Sequence, residues 1–409
     1  MERIILHIDM NSYFASVEQQ ANPFLRGKPI GITGKNQERS IVATASIEAK
    51  RLGVKTTMST WEAKKICPSI ILWLGDPEKY SDITHRFNAI YESFTPHVEP
   101  FSVDESFLDI TEEAEDYFGA TCMAQAIRAR LHDELGERIT ASIGIAPNKL
   151  MAKLASGHVK PNGLTVARPQ NVLALLDESE LDDICGIGPR IRHRLSELGI
   201  ETFSQLREFP LKDLEREFHH YGIWLHEAAW GRDSSVIVSP TRGHMHSAGD
   251  TEAKSYGHAY TLPQNTSDPR TLKRYLFGLA DKVGWRMRRD GVAARRVTTF
   301  VRFGDFTGHG EQRTFQEPTA DGMRLFQMAW RILEPICLVD VRLIGLSASL
   351  LSRGSSQPSL FKKERNMTSV FSALDELQSR YGSGIWKRGA TLQTEFKSHS
   401  SGFHFDHET

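Results

Sequence analysis

The chain has 409 residues, of which 40% are hydrophobic and 25% charged, and 50 basic residues nearly balance 51 acidic ones. At roughly 150 residues per domain this length predicts two to four domains, and the balanced charge excludes a uniformly basic nucleic-acid coat or a disordered acidic chain. No run of about 18 apolar residues occurs and the four cysteines lie far apart, so we expect a cytoplasmic protein without a membrane span, a disulfide framework or a structural zinc site.

The first predicted sheet begins with a buried strand at residues 4–8 that ends at Asp9. Asn11 is expected to cap the next helix, and residues 28–74 alternate short apolar runs with helical stretches, which indicates a small α/β insertion. Two strands, a helix and another strand follow at 98–103, 106–111, 118–135 and 139–145. The resulting β-α-β-β-α-β order is typical of a ferredoxin-like sheet with helices on one face.

After residue 168 the predicted secondary structure changes twice, first to helices alone and then back to a mixture of strands and helices. Short helices without strands are predicted over residues 169–235, followed by a linker at 236–253 that is rich in Gly, His and Ser. A second β-α-β-β-α-β order is predicted within 254–351, with elements at 255–262, 269–289, 296–303, 312–316, 321–333 and 339–350. Residues 352–409 begin as a linker and continue as a weakly helical, then polar tail.

Three carboxylates, Asp9, Asp104 and Glu105, lie at the ends or turns of strands predicted for the first sheet. Adjacent strand residues point to opposite faces, so Asp104 and Glu105 converge only if the hairpin turn reorients them. Clustered carboxylates repel each other unless divalent cations neutralise them, and Mg²⁺ binds a few carboxylates together with substrate phosphates. Such a site can support two-metal phosphoryl transfer, whereas the alternative is a helix cap at Asp9 and a solvated acidic turn.

A glycine-containing turn at residues 181–190, LDDICGIGPR, is followed by short predicted helices, as in a helix-hairpin-helix. Gly186 and Gly188 allow backbone N–H groups and a helix N-terminus to approach a nucleic-acid phosphate. A plain turn without a ligand is the alternative.

Residues 254–302 hold eleven basic and three acidic side chains, and Lys254, Arg286 and Arg296 are among the basic ones. This local charge fits contact with a DNA backbone, which would weaken steeply with salt, although a charged helix face can also be simply solvated.

The segments 7–18, HIDMNSYFASVE, and 101–109, FSVDESFLD, resemble the paired catalytic segments of Y-family DNA polymerases, most closely the bacterial DNA polymerase IV branch. The resemblance continues through 42–45, 53–54, 142–149 and 160–163 and covers at least residues 1–350. It implies a multidomain α/β and α+β protein with a ferredoxin-like palm, small fingers, a helical helix-hairpin-helix thumb and a β-α-β-β-α-β little finger. The implied bounds are palm 1–10 and 75–168, fingers 11–74, thumb 169–235, linker 236–253, little finger 254–351, and clamp-binding motif with tail 352–409.

The resemblance also implies roles for individual residues. Asp9, Asp104 and Glu105 would bind two Mg²⁺ ions, with the Met10 carbonyl as a further ligand and Glu105 at the ion that activates the primer 3′-hydroxyl. Phe14 would be the steric gate, because a flat ring beneath the sugar collides with a ribonucleotide 2′-hydroxyl.

Two alternatives concern the gate. Tyr13 is the neighbouring candidate for the gate and for nucleotide binding. Phe14 could instead be an ordinary core aromatic of an amphipathic helix.

Cations for the triphosphate are expected at Lys50 and Lys160, with a hydroxyl contact from Thr44. Here the chain departs from the family pattern, because Ile47 and Lys50 stand where Tyr and Arg are common and Asn11 replaces a frequent aspartate. Lysine lacks the planar fork with which arginine grips two phosphate oxygens.

After the last predicted strand, Gln357, Leu360 and Phe361 form a Gln-x-x-Leu-Phe pattern. It resembles a sliding-clamp-binding peptide in which two hydrophobic anchors enter a pocket and the glutamine bonds at its rim. Family members often end near this motif, whereas this chain continues to residue 409.

The sequence therefore predicts a monomeric, distributive, low-fidelity DNA polymerase for translesion synthesis, with primer–template DNA, deoxynucleoside triphosphates and a sliding clamp as partners. Two other classes remain: another palm-type enzyme such as a nucleotide cyclase, and a weak or inactive DNA- and clamp-binding relative. The predicted thumb, basic domain and clamp peptide argue against the cyclase.

Overall fold

The computed structural model describes residues 2–34, 40–239, 253–353, 362–382, 385–386 and 388–392, with only the backbone for 362–368. They form two units that divide between residues 239 and 253. The strands are β1 Ile5–Met10, β2 Ile30–Thr33, β3 Thr44–Ala45, β4 Ile71–Leu74, β5 Val98–Pro100, β6 Glu105–Asp109, β7 Ala141–Ala146, β8 Leu164–Val166, β9 Ser255–Thr266, β10 Val292–Phe303, β11 Gly308–Thr319 and β12 Val341–Arg353. The helices are α1 Tyr13–Ala21, α2 Ile47–Arg51, α3 Thr60–Ile66, α4 Pro77–Glu92, α5 Thr111–Ala114, α6 Tyr117–Leu135, α7 Lys149–His158, α8 Val172–Asp177, α9 Pro189–Glu197, α10 Phe203–Glu208, α11 Leu211–Phe218, α12 His220–Ala229, α13 Pro269–Arg289, α14 Gly322–Leu333 and α15 Lys362–Tyr381.

The first unit is organised on a five-stranded sheet in the order β5-β6-β1-β7-β8. β1 is central and pairs antiparallel with β6 and β7, while β8 adds a parallel strand beyond the four that the sequence predicts. The order of the other four strands is the ferredoxin-like one, so that prediction is confirmed. Because β1 is central, the last residues of this strand have neighbours on both sides.

Helix α4 is the crossover between β1 and β5, and it is not among the predicted elements. Its start is nevertheless of an ordinary kind, because Pro77 occupies the first turn and the Asp76 side chain accepts a hydrogen bond from the Lys79 N–H.

The predicted cap at Asn11 is wrong. Helix α1 begins after Ser12, which has a left-handed conformation with φ 47°, and no side chain caps it. Asn11 is buried; its Nδ2 donates to Thr140 Oγ1 at 3.1 Å and its Oδ1 accepts from Ser142 Oγ at 2.9 Å. The Asn11 side chain therefore joins the end of β1 to β7 instead of starting a helix.

Between α1 and α4 lies the predicted α/β insertion. Its sheet has the order β3-β2-β4, with β2 antiparallel to β3 and parallel to β4. Ser46 and Ser59 cap α2 and α3 with their side chains. The insertion has its own small core, formed by Val42, Ala45, Ala49, Val54, Ala63, Cys67 and Ile70.

Helices α8 to α12 follow the first sheet, and no strand occurs among the described residues 169–235, as predicted. Their core, which includes Leu195, Phe203 and Leu206, is continuous with Phe107 of β6. The first residues of the predicted linker are attached to the same unit, since the Val238 N–H donates to Glu99 Oε2 at 2.9 Å.

The second unit contains a four-stranded antiparallel sheet in the order β11-β10-β12-β9. Helices α13 and α14 pack on one face around a core that includes Leu276, Val297, Leu325 and Ile344. The predicted β-α-β-β-α-β order is present, with longer strands than expected.

A β-bulge between Ala294 and Arg296 shifts the alternation of side chains along β10. Beyond the bulge, Val297, Thr299 and Val301 are buried toward the helices, whereas Arg296 and Phe300 occupy the opposite face. Their neighbours on β12 and β9 in the sheet are glycine, alanine and serine. Because these side chains are small, the open face is flat, and Arg296 gives it positive charge.

The tail after the predicted clamp motif is folded against the second unit. The Arg288 guanidinium donates to both carboxylate oxygens of Asp375 in α15, at 2.6 and 2.8 Å. Phe371 of the same helix is only 8% exposed and lies beneath Arg288 and Arg388. Across the described ranges, none of the helices is both long and apolar enough to span a bilayer.

Candidate active site

The end of β1 and the start of β6 bring predicted site residues together. Asp9 is directly opposite Glu105 in the antiparallel register, so their side chains lie on the same face. The Met10 N–H donates to the Asp104 carbonyl oxygen at 2.9 Å, and the loop before β6 is closed by the Phe101 N–H bonded to the Glu105 carbonyl at 2.9 Å. Asp104 lies in that loop and is close enough for its carboxyl to interact electrostatically with Asp9 and Glu105.

Asp104 is held in a desolvated position. Burial, reinforced by the negative charges of Asp9 and Glu105, raises the pKa of Asp104 to about 6. A hydrogen bond from Ser102 Oγ to Asp104 Oδ1, at 2.6 Å, acts in the opposite direction. The local arrangement thus favours a positive charge beside this carboxylate.

Glu105, the adjacent residue, has the opposite environment. Burial alone would raise its pKa, but the hydrogen bond from His7 and the charge of Lys153 outweigh burial and lower the pKa of Glu105 to about 2. His7 Nε2 lies 3.3 Å from Glu105 Oε2, and His7 Nδ1 lies 2.6 Å from Ser156 Oγ. Burial lowers the pKa of His7, and Ser156 Oγ, which lies beside Nδ1, donates its own hydrogen to the Lys153 carbonyl oxygen at 2.8 Å.

Two predicted phosphate-binding lysines lie beside the carboxylates. Lys160 Nζ is 2.9 Å from Asp9 Oδ1. Desolvation and the charge of Lys160 lower the pKa of Lys50, against the opposing effect of Asp9 and Asp104, which places Lys50 in the same electrostatic environment. Of the other expected contacts, Thr44 lies on β3 opposite Ile32.

The carboxylates beside β1 offer oxygen donors for a divalent cation but do not form a closed site by themselves. Within the described part of the chain, no three His, Cys, Asp or Glu side chains are grouped closely enough to form a ready-made metal site. Two of the three carboxylates contact lysines instead, since Lys160 contacts Asp9 and Lys153 contacts Glu105. Desolvated oxygen donors that already attract cations are nonetheless the ligands that Mg²⁺ prefers.

The two candidate gate residues have different surroundings. Tyr13 is buried, and its hydroxyl donates to the Tyr80 carbonyl oxygen at 2.7 Å and lies 2.8 Å from Thr84 Oγ1. Phe14 is 6% exposed and stacks on the Tyr80 ring, with centroids 4.5 Å apart and planes inclined by 21°. The hydroxyl of Tyr13 is therefore engaged inside the protein. Phe14 also belongs to the buried core, as the alternative expected, and its role as the gate stays a prediction.

Tyr80 is itself fixed by a buried carboxylate that the sequence did not single out. Glu18 is 2% exposed; its Oε1 accepts from the Tyr80 hydroxyl at 2.9 Å. Its Oε2 accepts from Lys79 Nζ at 2.9 Å and from Trp73 Nε1 at 3.2 Å. Glu18 thus connects α1, α4 and the insertion behind the Phe14 ring.

His7 and Lys153 are also additions to the predicted site. His7 has a recognisable signal, because it precedes Asp9 by two positions on a strand and so shares its face. Lys153 lies on α7, and nothing in its local sequence connects it to Glu105.

The predicted hairpin at residues 181–190 is formed by a short turn that leads into α9. Gly186 has φ 120°, its carbonyl oxygen accepts from the Tyr221 hydroxyl at 2.6 Å, and a Cβ there would lie 2.6 Å from the Trp224 ring. Gly188 is the N-cap of α9 and Pro189 occupies the first turn. The geometry explains Gly186, whereas Gly188 has an ordinary φ of −87° and open space where a Cβ would lie; contact of either glycine with DNA stays a prediction.

The basic residues of the second unit do not share one surface. Arg296 lies on the open face of the sheet, and within the described residues its buried Nε has no hydrogen-bond partner. Arg286 lies on α13, on the helix side, with its guanidinium 5.6 Å from the Tyr256 ring centroid. Lys254 is exposed just before β9. The predicted clamp residues Gln357, Leu360 and Phe361 lie outside the described residues.

Comparison with known proteins gives matches along most of the chain. The impB/mucB/samB family matches residues 8–157, its C-terminal domain matches 253–360, and the thumb domain described for DNA polymerase-iota matches 182–233. DNA polymerase IV of Listeria monocytogenes serotype 4b is 36% identical over 351 residues, which cover 85% of this chain and 95% of the relative. DNA polymerase IV of Desulfatibacillum aliphaticivorans is 32% identical over 409 residues, covering 98% and 99% of the two chains.

Solved structures show the same likeness. The Y-family DNA polymerase chimera Dbh-Dpo4(243-245)-Dbh has 27% identity and a TM-score of 0.74, and the match covers 86% of this chain and 100% of the chimera. An insertion ternary complex of Dbh DNA polymerase has 27% identity and a TM-score of 0.58, with the same coverage.

The palm-like sheet, the helix-hairpin-helix segment and these matches define a DNA-directed DNA polymerase. The chain belongs to the impB/mucB/samB family of Y-family translesion polymerases, within its bacterial DNA polymerase IV branch.

Proposed function

We propose that the chain is a low-fidelity, template-directed polymerase that transfers a nucleotide from a deoxynucleoside triphosphate to a primer 3′-hydroxyl with two Mg²⁺ ions. The observation that carries the proposal is the register that places Asp9 opposite Glu105 at the end of the central strand, with Asp104 in the adjoining loop and Lys160 in contact with Asp9.

Asp9, Asp104, Glu105 and the Met10 carbonyl would hold the metal ions. When bound, the ions supply activation of the hydroxyl and neutralisation of the charge that develops on the phosphates. Release of Lys160 from Asp9 would leave its ammonium near the site, where it and Lys50 bind the triphosphate as point charges. His7 and Lys153 keep Glu105 ionised and oriented before the substrate arrives.

Phe14 would exclude ribonucleotides by shape, since Tyr80 stacks on the back of its ring. Lys254, Arg296 and the turn containing Gly186 and Gly188 would contact the DNA backbone without reading bases. Backbone contact of this kind suits a polymerase that must accept distorted templates.

Primer extension with Mg²⁺ and all four deoxynucleotides tests the proposal. Asp104→Ala should lower extension at least about 100-fold, because a ligand for transition-state charge stabilisation is lost, while DNA binding is retained. Asp133→Ala removes an exposed carboxylate of α6 and serves as the matched control.

A second readout is independent of turnover. Mg²⁺ should raise the thermal unfolding midpoint of the wild type and the Asp133 variant, and should do so less for the Asp104 variant, because only bound ligand stabilises the fold. Full extension by the Asp104 variant would remove this residue from the metal site.

A further inference from the structure

Helix α3 of the insertion carries an aromatic side chain on its outer surface. Trp61 is 68% exposed, whereas Ala63 of the same helix is fully buried in the small core. The indole therefore contributes little to folding, and a large exposed ring indicates a surface that binds something.

The charge around this ring is positive. Lys64 and Lys65 follow Trp61 by three and four positions, so they flank it on the helix surface, and Lys65 Nζ lies 5.4 Å from the ring centroid. Arg51 and Lys55 are exposed in the preceding segment.

The acidic residues nearby are engaged within the fold. Glu62 forms a capping box with Ser59, and Glu48 accepts a hydrogen bond from Gln19 at 3.1 Å. Glu62 is nevertheless exposed and adds a negative charge next to Trp61, so four basic residues face two acidic ones and the surface is positive on balance.

The surface is connected to the predicted nucleotide contact at Thr44. Val42, two positions before Thr44, is hydrogen-bonded to the loop that precedes α3. The Thr57 N–H donates to the Val42 carbonyl oxygen, and the Val42 N–H donates to the Met58 carbonyl oxygen, both at 2.8 Å. Thr57 has φ 69°, a left-handed conformation that β-branched residues rarely adopt and that is often kept at functional sites.

We propose that Trp61, Lys64 and Lys65 form a binding platform for the unpaired template strand. An open indole face can stack on any base, and flanking cations follow the phosphates, which is the usual chemistry of single-stranded DNA binding without sequence preference. Duplex DNA fits this platform poorly because the base faces are already stacked. The site is separate from the three carboxylates and would act on template binding.

The test compares two primer–template hairpins, one with a single unpaired template base and one with ten. The wild type should bind the longer overhang about tenfold more tightly, in line with one stacked base, and Trp61→Ala should remove most of that ratio. Trp61→Phe keeps a stacking ring and should retain most of it. Both hairpins are bound by the same protein preparation. The ratio of the two Kd values is therefore unaffected if part of a variant is inactive.

Phe118→Ala is the matched control. Phe118 is also exposed, at 71%, but Glu112, Glu113, Glu115 and Asp116 precede it, so this aromatic residue lies in an acidic setting that repels DNA. This variant should keep the wild-type ratio. The double variant Lys64→Gln and Lys65→Gln should reduce the slope of log Kd against log salt by about 1.4 for the longer overhang, since each lost phosphate contact accounts for about 0.7.

Two results would overturn the proposal. An unchanged ratio in Trp61→Ala would show that the ring does not contact the template, and the surface would then suit a protein partner. An equal loss with both hairpins would show that the substitution acts on the fold and not on the overhang.

Discussion

The sheets of the two units contain the same succession of strands and helices but place the first strand differently. In the first unit β1 is central, so its end lies between β7 and the hairpin that carries Asp104 and Glu105. In the second unit the first strand, β9, is at an edge, and β10 and β12 occupy the middle. The same succession of strands and helices therefore brings side chains together at one point when the first strand is central, and leaves a broad open sheet face when the first strand is at an edge.

The charges at the end of β1 also differ from those on the open face of the second sheet, although Arg288 and Asp375 form a close pair elsewhere in the second unit. In the first unit, ionisable groups pair with each other over short distances, as with Lys160 and Asp9. In the second unit, Arg296 lies on an open face. The first arrangement suits a small charged substrate, and the second suits an extended polyanion.

The largest expected effect comes from the buried charges of the first unit. Glu18→Ala leaves the Tyr80 hydroxyl, the Trp73 indole N–H and Lys79 without their acceptor, so we expect a loss of about 3 kcal/mol in the free energy of unfolding. Urea denaturation measures this, with Glu78→Ala on the exposed side of α4 as control. A loss below about 0.5 kcal/mol would mean that these donors find water in place of Glu18.

The next effect concerns sugar selection. Phe14→Val should raise ribonucleotide incorporation roughly 10- to 100-fold relative to deoxynucleotides, because the flat ring against Tyr80 is replaced by a smaller side chain. The ratio of kcat/KM values for the two nucleotides is the measurement. Tyr13→Phe removes only a hydroxyl that is already bound inside the protein and should leave the ratio unchanged; the reverse pattern would make Tyr13 the gate.

A smaller effect, on the salt dependence of DNA binding, should distinguish the open face of the second sheet from its helix-covered side. Arg296→Ala should lower the slope of log Kd against log salt for duplex DNA by about 0.9, because one phosphate contact is lost from the open face. Arg286 is also a predicted DNA contact, but its guanidinium packs over Tyr256 on the helix side, so we expect Arg286→Ala to leave the slope unchanged and to remove this residue from the predicted contacts. Equal changes in both variants would place DNA contacts on both sides of the sheet.

The predicted clamp motif, between the second unit and the tail, should have the smallest effect on primer extension when no sliding clamp is present. Replacing Leu360 and Phe361 with alanine should remove stimulation by a sliding clamp while clamp-free extension stays the same. Primer extension with and without the clamp separates the two rates, and persistent stimulation would show that the pattern is incidental.

The ferredoxin-like sheet was predictable because its apolar strands and long helix α6 have clear patterns. The site carboxylates were predictable because they end or begin strands, and the resemblance supplied their roles. Lys153 and Glu18 were not predictable, since each acts through partners about 50 to 60 residues away that meet only in the folded chain. Asn11 was misassigned because an asparagine before a helix suggests a cap, whereas burial beside Thr140 and Ser142 gives it partners across the sheet.

The pairing of Arg288 with Asp375 has a consequence for shortened versions of the chain. A protein ending at residue 361 would lose Asp375 and Phe371 together, leaving a half-buried guanidinium without its carboxylate and uncovering the surface that Phe371 shields. Because leaving a partly buried charge unpaired destabilises a fold, such a truncation would weaken the second unit itself. A deletion that also removed residues 357–361 would alter fold stability together with any clamp binding, so point substitutions at Leu360 and Phe361 are the cleaner way to separate the two.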